Sequence, residues 1–212
     1  MKNEKQRTVL LLILVVAILT ITVAYAALST SLRINSSATV RGASWDIHFS
    51  GGSVNGTPTS APAEGRSVYF DGVPTLSTTT ISNVRVVLTQ PSDSATYSFN
   101  IVNNGSIDAR LSTLTSMTPT CSPSGTDATK ACTYISRTLT YTSTPTYENG
   151  VTYNGTKIVS GAAVTANDVI PAGQTVSVNL TIGYADGTTS ENFPSSDVSV
   201  SYPEQTLVFI QD

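Results

Sequence analysis

From Thr175 to Ile182 the chain alternates without a break: Val176, Val178, Leu180 and Ile182 are apolar, with Ser, Asn and Thr between them. A period of two sends one set of side chains into a core and the other into water, which is the signature of a half-buried β-strand. Ala95–Val102 repeats the pattern with Tyr97, Phe99 and Ile101 on one face. Beyond Ala27 no window carries a helical period. Shorter β-branched and aromatic runs predict further strands at Leu28–Val40, Ser44–Phe49, Val68–Phe70, Val84–Thr89, Ala109–Thr115, Tyr134–Thr142, Lys157–Val159, Val198–Tyr202 and Thr206–Ile210. Turn dipeptides punctuate them at Asp71-Gly72, Asn104-Gly105, Asn149-Gly150, Asn154-Gly155 and Asp186-Gly187, where positive φ comes cheaply. Pro171-Ala172-Gly173 introduces the best strand, and Gly51–Glu64 reads as a loop. The expected fold is all-β, a single antiparallel β-sandwich.

The first 26 residues stand apart. Lys2, Lys5 and Arg7 outnumber Glu4, Val9–Val23 is almost wholly aliphatic, and Ala24-Tyr25-Ala26 gives an A-x-A pattern before Ala27. A basic start, an apolar middle and a small-residue cleavage site are the three parts of a secretory signal peptide. The alternative is an uncleaved signal anchor, because about 20 apolar residues suffice to span a bilayer. In either case the basic end stays inside and residues 27–212 are delivered outside, as one extracytoplasmic domain. A chain of this length buries roughly 70% of its unfolded surface and needs no metal to hold a core.

Charged residues make up 12% of the chain, and beyond residue 26 eight basic side chains face thirteen acidic ones. Without a basic stripe there are no counterions to release, so nucleic acid is excluded as a partner. The membrane is met only through the N-terminal segment. Cys121 and Cys132 are the only cysteines. In an exported chain this pair is expected to close a disulfide inside a loop rich in Ser, Thr, Gly and Pro.

Catalytic constellations are missing from the pattern. His48 is the only histidine, in Trp45-Asp46-Ile47-His48-Phe49, and neither G-x-S-x-G nor H-E-x-x-H occurs. The expectation is no enzyme, no cofactor and no metal. Asp108, Asp168 and Asp186 could offer loop oxygens to calcium, but Asp in turns is the simpler reading. Lys130 and Lys157, the lysines left after cleavage, sit beside turns, which disfavours an intramolecular Lys–Asn isopeptide.

Two stretches, AYAALSTSLRINSSATVRGASWDIHFS (Ala24–Ser50) and PSDSATYSFNIVNNGSIDARLSTL (Pro91–Leu114), resemble secreted Gram-positive surface proteins of the broad TasA/camelysin type. The shared phrase is an aromatic strand, then N-N-G-S, then a second strand. The resemblance implies an Ig-like or jelly-roll sandwich that assembles into extracellular fibres or biofilm matrix. It further implies a donor strand, freed by signal removal, that completes the sheet of the next subunit. Here that segment would be Ala27–Val40, with Leu28, Leu32, Ile34 and Val40 as its apolar positions. The alternative is that Leu28–Val40 is the first strand of its own domain. Camelysin-like proteolysis does not carry over, as no zinc motif is present.

The resulting expectation is a secreted or cell-surface structural protein whose partners are copies of itself or other surface proteins. The alternative is a surface adhesin or a carbohydrate-binding module, for which Trp45, Tyr134, Tyr141, Tyr147 and Tyr153 could furnish a stacking platform.

Overall fold

The computed structural model describes residues 2–28, 42–59, 67–116, 118–185 and 189–212. Contacts divide the chain into two units, Met1–Arg41 and Gly42–Asp212. In the first, α1 (Lys2–Leu28) carries Glu4 in its opening turn. Its described side chains, residues 3–21, are all exposed, and from Val9 to Ile21 every one except Thr20 is aliphatic. Thr8 and Thr20 turn their hydroxyls back onto the carbonyls of Glu4 and Ala17, both at 2.9 Å. A helix apolar on all sides is not the amphipathic helix of a protein surface. Among the described residues no helix is long and apolar enough to cross a membrane. The anchor alternative is therefore left without a described span. Leu28, expected to open a strand, instead closes α1, while Leu32, Ile34 and Val40 lie outside the described residues.

The second unit runs through β1 (Ile47–Val54), β2 (Tyr69–Phe70), β3 (Thr75–Leu76), β4 (Ile81–Ser82), β5 (Val86–Val87), β6 (Ser94–Asn103) and β7 (Ala109–Leu114). It continues with β8 (Thr120–Ser122), α2 (Thr126–Tyr134), β9 (Ile135–Tyr141), β10 (Thr156–Lys157), β11 (Asp168–Ile170), β12 (Thr175–Tyr184), β13 (Ser199–Ser201) and β14 (Leu207–Gln211). A short 3-10 turn occupies Ser190–Asn192.

The two longest alternating runs became β6 and β12, which pair antiparallel from Thr175↔Val102 to Gly183↔Ser94. With β1 beside β6 and β9 beside β12 they form a wholly antiparallel sheet of order β1-β6-β12-β9. A second sheet, β10-β11-β7-β14, is antiparallel apart from the β10/β11 pair. Three two-stranded pieces complete the set: β2/β5, β3/β4 and β8/β13.

One face of the first sheet delivers Tyr97, Phe99, Ile101, Val176, Val178 and Leu180, none more than 2% exposed, to a hydrophobic cluster. The same cluster holds Leu111 of β7, Ile170 of β11 and the half-buried Leu207 and Phe209 of β14. Phe49 meets Phe99 edge to face, their centroids 5.3 Å apart. The opposite face of this sheet is a ladder of uncharged polar groups. Thr96 bonds Thr181 at 3.1 Å, Ser98 donates to Asn179 at 2.5 Å and Ser177 donates to Asn100 at 2.9 Å, while Asn55 donates to Ser98. The ladder takes up seven Ser, Thr and Asn side chains of this charge-poor chain, most of them in cross-strand pairs.

Several expectations need correction. The Cys121–Cys132 region is not a loop, since Cys121 lies on β8 and Cys132 on the nine-residue helix α2. Only Ala128 and Ala131 of α2 are buried, and two alanines leave too weak an apolar stripe to register as a helical period. Likewise, β1 starts at Ile47 rather than Ser44 and continues through Gly51–Val54, read from sequence as loop. The glycines there serve packing: a side chain at Gly52 would run into the Tyr97 hydroxyl, and the register shifts between Ser50 and Ser53 mark a bulge. Residues 60–66 of the expected loop, and Asp186-Gly187, lie outside the described residues. The strand expected at Lys157–Val159 sits one residue earlier, and β11 was not anticipated because its three residues are too few to show a period.

Candidate functional site

Asn103 ends β6 fully buried, and its side-chain amide is in use at both ends. Nδ2 donates to the carbonyls of Ile107 (2.9 Å) and Ile170 (3.0 Å), and Oδ1 accepts from the Gly105 amide (3.1 Å). Asn104 reaches the other way, its main-chain N donating to Asp46 O at 2.9 Å and Nδ2 to the Asp46 carboxylate at 3.2 Å. Ser106 N donates to Ser44 O at 3.0 Å, and Ser44 N donates to Ser106 Oγ at 2.9 Å. A Cβ on Gly105 would stand 2.7 Å from Ser44 O, so this glycine is required by close approach, not by positive φ. The N-N-G-S phrase is therefore a clamp that fixes residues 44–46 to the β6–β7 turn and ties that turn to β11. His48 belongs to its edge: Nδ1 lies 2.9 Å from Asp46 Oδ1. Bonds from His48 and then Asn104 hold the Asp46 carboxyl below its ordinary pKa.

The predicted disulfide joins Cys121 to Cys132 with Cα atoms 6.0 Å apart. It ties α2 to β8, which pairs with β13 from Ser199↔Ser122 to Ser201↔Thr120. Asp127, in the first turn of α2, accepts from Ser195 Oγ (2.9 Å), Ser196 N (2.9 Å) and Ser196 Oγ (2.5 Å). These bonds, those of Ser196 foremost, lower its pKa from 3.8 to about 2. Because the folded value is the depressed one, this tether contributes fully above pH 3.8 and is lost as the pH falls towards 2. Asp127→Asn should remove that component of acid sensitivity. Melting curves at pH 5 and pH 2 should then converge for the variant relative to the parent, and an unchanged difference would discount the tether.

The five candidate aromatics do not form one platform. Tyr141 is 1% exposed in the core, where burial, then the Asp168 carboxylate, pushes its phenol up. Trp45 is 42% exposed beside the clamp, and Tyr134 is half-buried at the end of α2. Only Tyr147 and Tyr153 meet, edge to face at 5.1 Å, and both hydroxyls serve the backbone. Tyr147 Oη donates to Val169 O and accepts from Ile158 N, and Tyr153 Oη accepts from Glu148 N. The Lys157 ammonium lies 5.0 and 5.3 Å from the two ring centroids, so this pair of rings already holds a cation. Lys157 is exposed and Lys130 half-buried.

Of the carboxylates considered for calcium, Asp168 closes a local turn and Asp108 makes a long-range bond to the main chain. Asp168 accepts from Thr165 N (2.6 Å) and Thr165 Oγ1 (3.1 Å), and Asp108 from Ala172 N (2.8 Å), while Asp186 lies outside the described residues. Among the described residues no three His, Cys, Asp or Glu side chains converge as a metal set.

Sequence reasoning missed a cleft of about 510 Å³ between the start of β9 and the β7 and β13–β14 ends, lined by Leu114, Pro119, Ile135, Arg137, Tyr202 and Gln205 among others. The Arg137 guanidinium carbon lies 5.9 Å from the Tyr202 ring centroid, and burial lowers its pKa. Gln205 Nε2 donates to Thr115 O at 3.3 Å, which turns Oε1 away as a free acceptor. Among the described residues neither Gln205 Oε1 nor Tyr202 Oη, both buried, has a hydrogen-bond partner. The lining is mixed, with Leu114, Pro119 and Ile135 beside more numerous polar groups, which suits a small ligand carrying both donors and acceptors. No sequence signal pointed to it, because its residues come from four separate segments. The helix backbone passes through Ala24, Ala26 and Ala27, whose side chains, like all of Leu32, Ile34 and Val40, lie outside what is described. Compared with known protein families, curated proteins and solved structures, the chain matches none.

Proposed function

We propose that this chain is an exported structural protein of the cell surface or extracellular matrix that builds by self-association. The observation that carries the reading is a disulfide closed within a β-rich unit, together with a helix α1 whose described residues Val9–Ile21 are aliphatic on every side apart from Thr20. Disulfides persist in oxidising compartments. The apolar run Val9–Val23, behind a basic start, suits the roughly 7–15-residue core of a signal peptide ending at Ala24-Tyr25-Ala26. In this reading the two four-stranded sheets are the layers of a single Ig-like or jelly-roll sandwich. The segment Ala27–Val40 then serves as donor strand to a neighbour, as the TasA/camelysin resemblance implies.

The test compares chains beginning at Ala27 and at Arg41 by size exclusion and negative-stain microscopy. Large oligomers or fibres from the first and monomers from the second are expected. Two folded monomers would sink the self-association reading. The cleft favours a second reading, a ligand-binding module. It predicts a monomer that binds oligosaccharide and loses that binding in Tyr202→Phe.

A further inference from the structure

The two larger sheets end in four outer strands, and the chain treats their free edges differently. Beyond β1 lies Thr78, whose carbonyl accepts from Phe49 N at 2.8 Å. Along β9, Ala162 O accepts from Tyr141 N (2.9 Å) and Val164 N donates to Leu139 O (3.0 Å). The β10 edge is two residues long. These are ordinary ways of blunting an edge. Among the described residues β14 has no such cover. Thr115 N donates to Thr206 O and Asp212 N to Asp108 O, so the even-numbered residues of this strand turn their main-chain groups towards β7. By alternation Leu207, Phe209 and Gln211 point theirs away, and no described residue bonds them.

The side chains on this strand suit exposure poorly. Leu207–Gln211 is uncharged, with Val208 43% and Ile210 38% exposed on the face opposite the core. The strand lacks the lysines, prolines and inward charges that usually keep edges apart. The nearest charge, the Asp212 carboxylate, is already neutralised by Arg110 at 3.1 Å.

We infer that the β14 edge binds the β14 edge of a second copy of this chain, antiparallel about a two-fold axis at Phe209. This deepens, and rests on, the reading of the chain as self-associating. The register follows from which groups are free. Phe209 faces Phe209 of the second copy and Leu207 faces Gln211, each pair exchanging both of its main-chain hydrogen bonds. Val208 then lies opposite Ile210 of the second copy in the closer, non-hydrogen-bonded position. The four exposed aliphatic side chains of the two copies cover one another, and the second sheet becomes continuous across the pair. An isologous contact of this kind closes on itself, so it makes dimers, and longer assemblies need a second contact such as the donor strand.

The experiment uses the full chain in mild detergent. Val208→Cys/Ile210→Cys places thiols at cross-strand spacing within disulfide reach. Mild oxidation should give a covalent dimer, whereas Val73→Cys, more exposed still at 62% in the parent side chain, should not. Val208→Lys/Ile210→Lys should weaken association at least about tenfold. So should Gln211→Pro, which removes only an outward N–H. Unchanged thermal melts confirm that these variants fold. If the cysteine variant stays uncrosslinked while the parent still forms large oligomers, the β14 contact is overturned and self-association stands. If the cysteine variant is uncrosslinked and the parent is monomeric, both fall.

Discussion

Asn103→Ala should lower the unfolding free energy by about 3–5 kcal/mol, as each buried group left without its partner costs about 1–3 kcal/mol. Three such groups depend on this one side chain: the carbonyls of Ile107 and Ile170 and the amide of Gly105. Alanine leaves a hole as well, because Asn103 is fully buried. Asn103→Asp should not rescue it. The carboxylate could still accept from Gly105 N, but it would face two carbonyls with no proton to give them. Asn104→Ala provides the comparison. Asn104 is exposed, its main-chain bond to Asp46 survives the substitution, and the lost amide contact is worth under about 1 kcal/mol. Urea unfolding followed by tryptophan emission would read both variants, since Trp45 sits in the clamped segment. Equal losses at the two positions would mean that the phrase acts only as a turn.

That difference also marks how far the sequence could be read. Strands β6 and β12 were legible because the alternating runs Ala95–Val102 and Thr175–Ile182 leave one arrangement open, and their buried faces are those the alternation assigns. The charge-poor, hydroxyl-rich composition pointed to polar strand faces, and the Thr96–Thr181 and Ser98–Asn179 pairs supply them. The Cys121–Cys132 bond followed from the expected oxidising compartment and the count of two cysteines. What stayed hidden depends on contacts between distant segments. N-N-G-S looked like a turn because its long-range partners, Ser44, Asp46 and Ile170, cannot be paired with it by inspection. Helix α2 was hidden by threonines and alanines, which carry little periodic signal. The cleft was hidden because Arg137, Tyr202 and Gln205 share no local motif. Tyr141, offered as a surface ring, is a core residue, and alternation in β9 alone does not say which of its faces meets the cluster.

Removing the disulfide should be the second largest loss. Cys121→Ser/Cys132→Ser opens a loop with a sequence separation of 11. The chain-entropy relation puts the stabilisation from closing such a loop near 3 kcal/mol. For a domain of this size that is a fall in Tm of about 6–12 °C. The loss should be global because the bridged elements are not an appendage. α2 runs directly into β9 through the Ile135 N–H bond to Ala131 O, and Tyr134 O accepts from Ala185 N just past β12. Freeing α2 therefore loosens the end of the β9/β12 pairing in the first sheet. What remains without the bridge is modest: the three-residue β8/β13 ladder, the Asp127 tether and two buried alanines. The double variant, and the parent with and without reductant, should be compared by urea unfolding at neutral pH. A lower midpoint at constant m-value is the expected result, since the surface exposed on unfolding changes little. An unchanged midpoint, with new protease cleavage confined to the α2 region, would show instead that this arm opens on its own below the stability of the sheets.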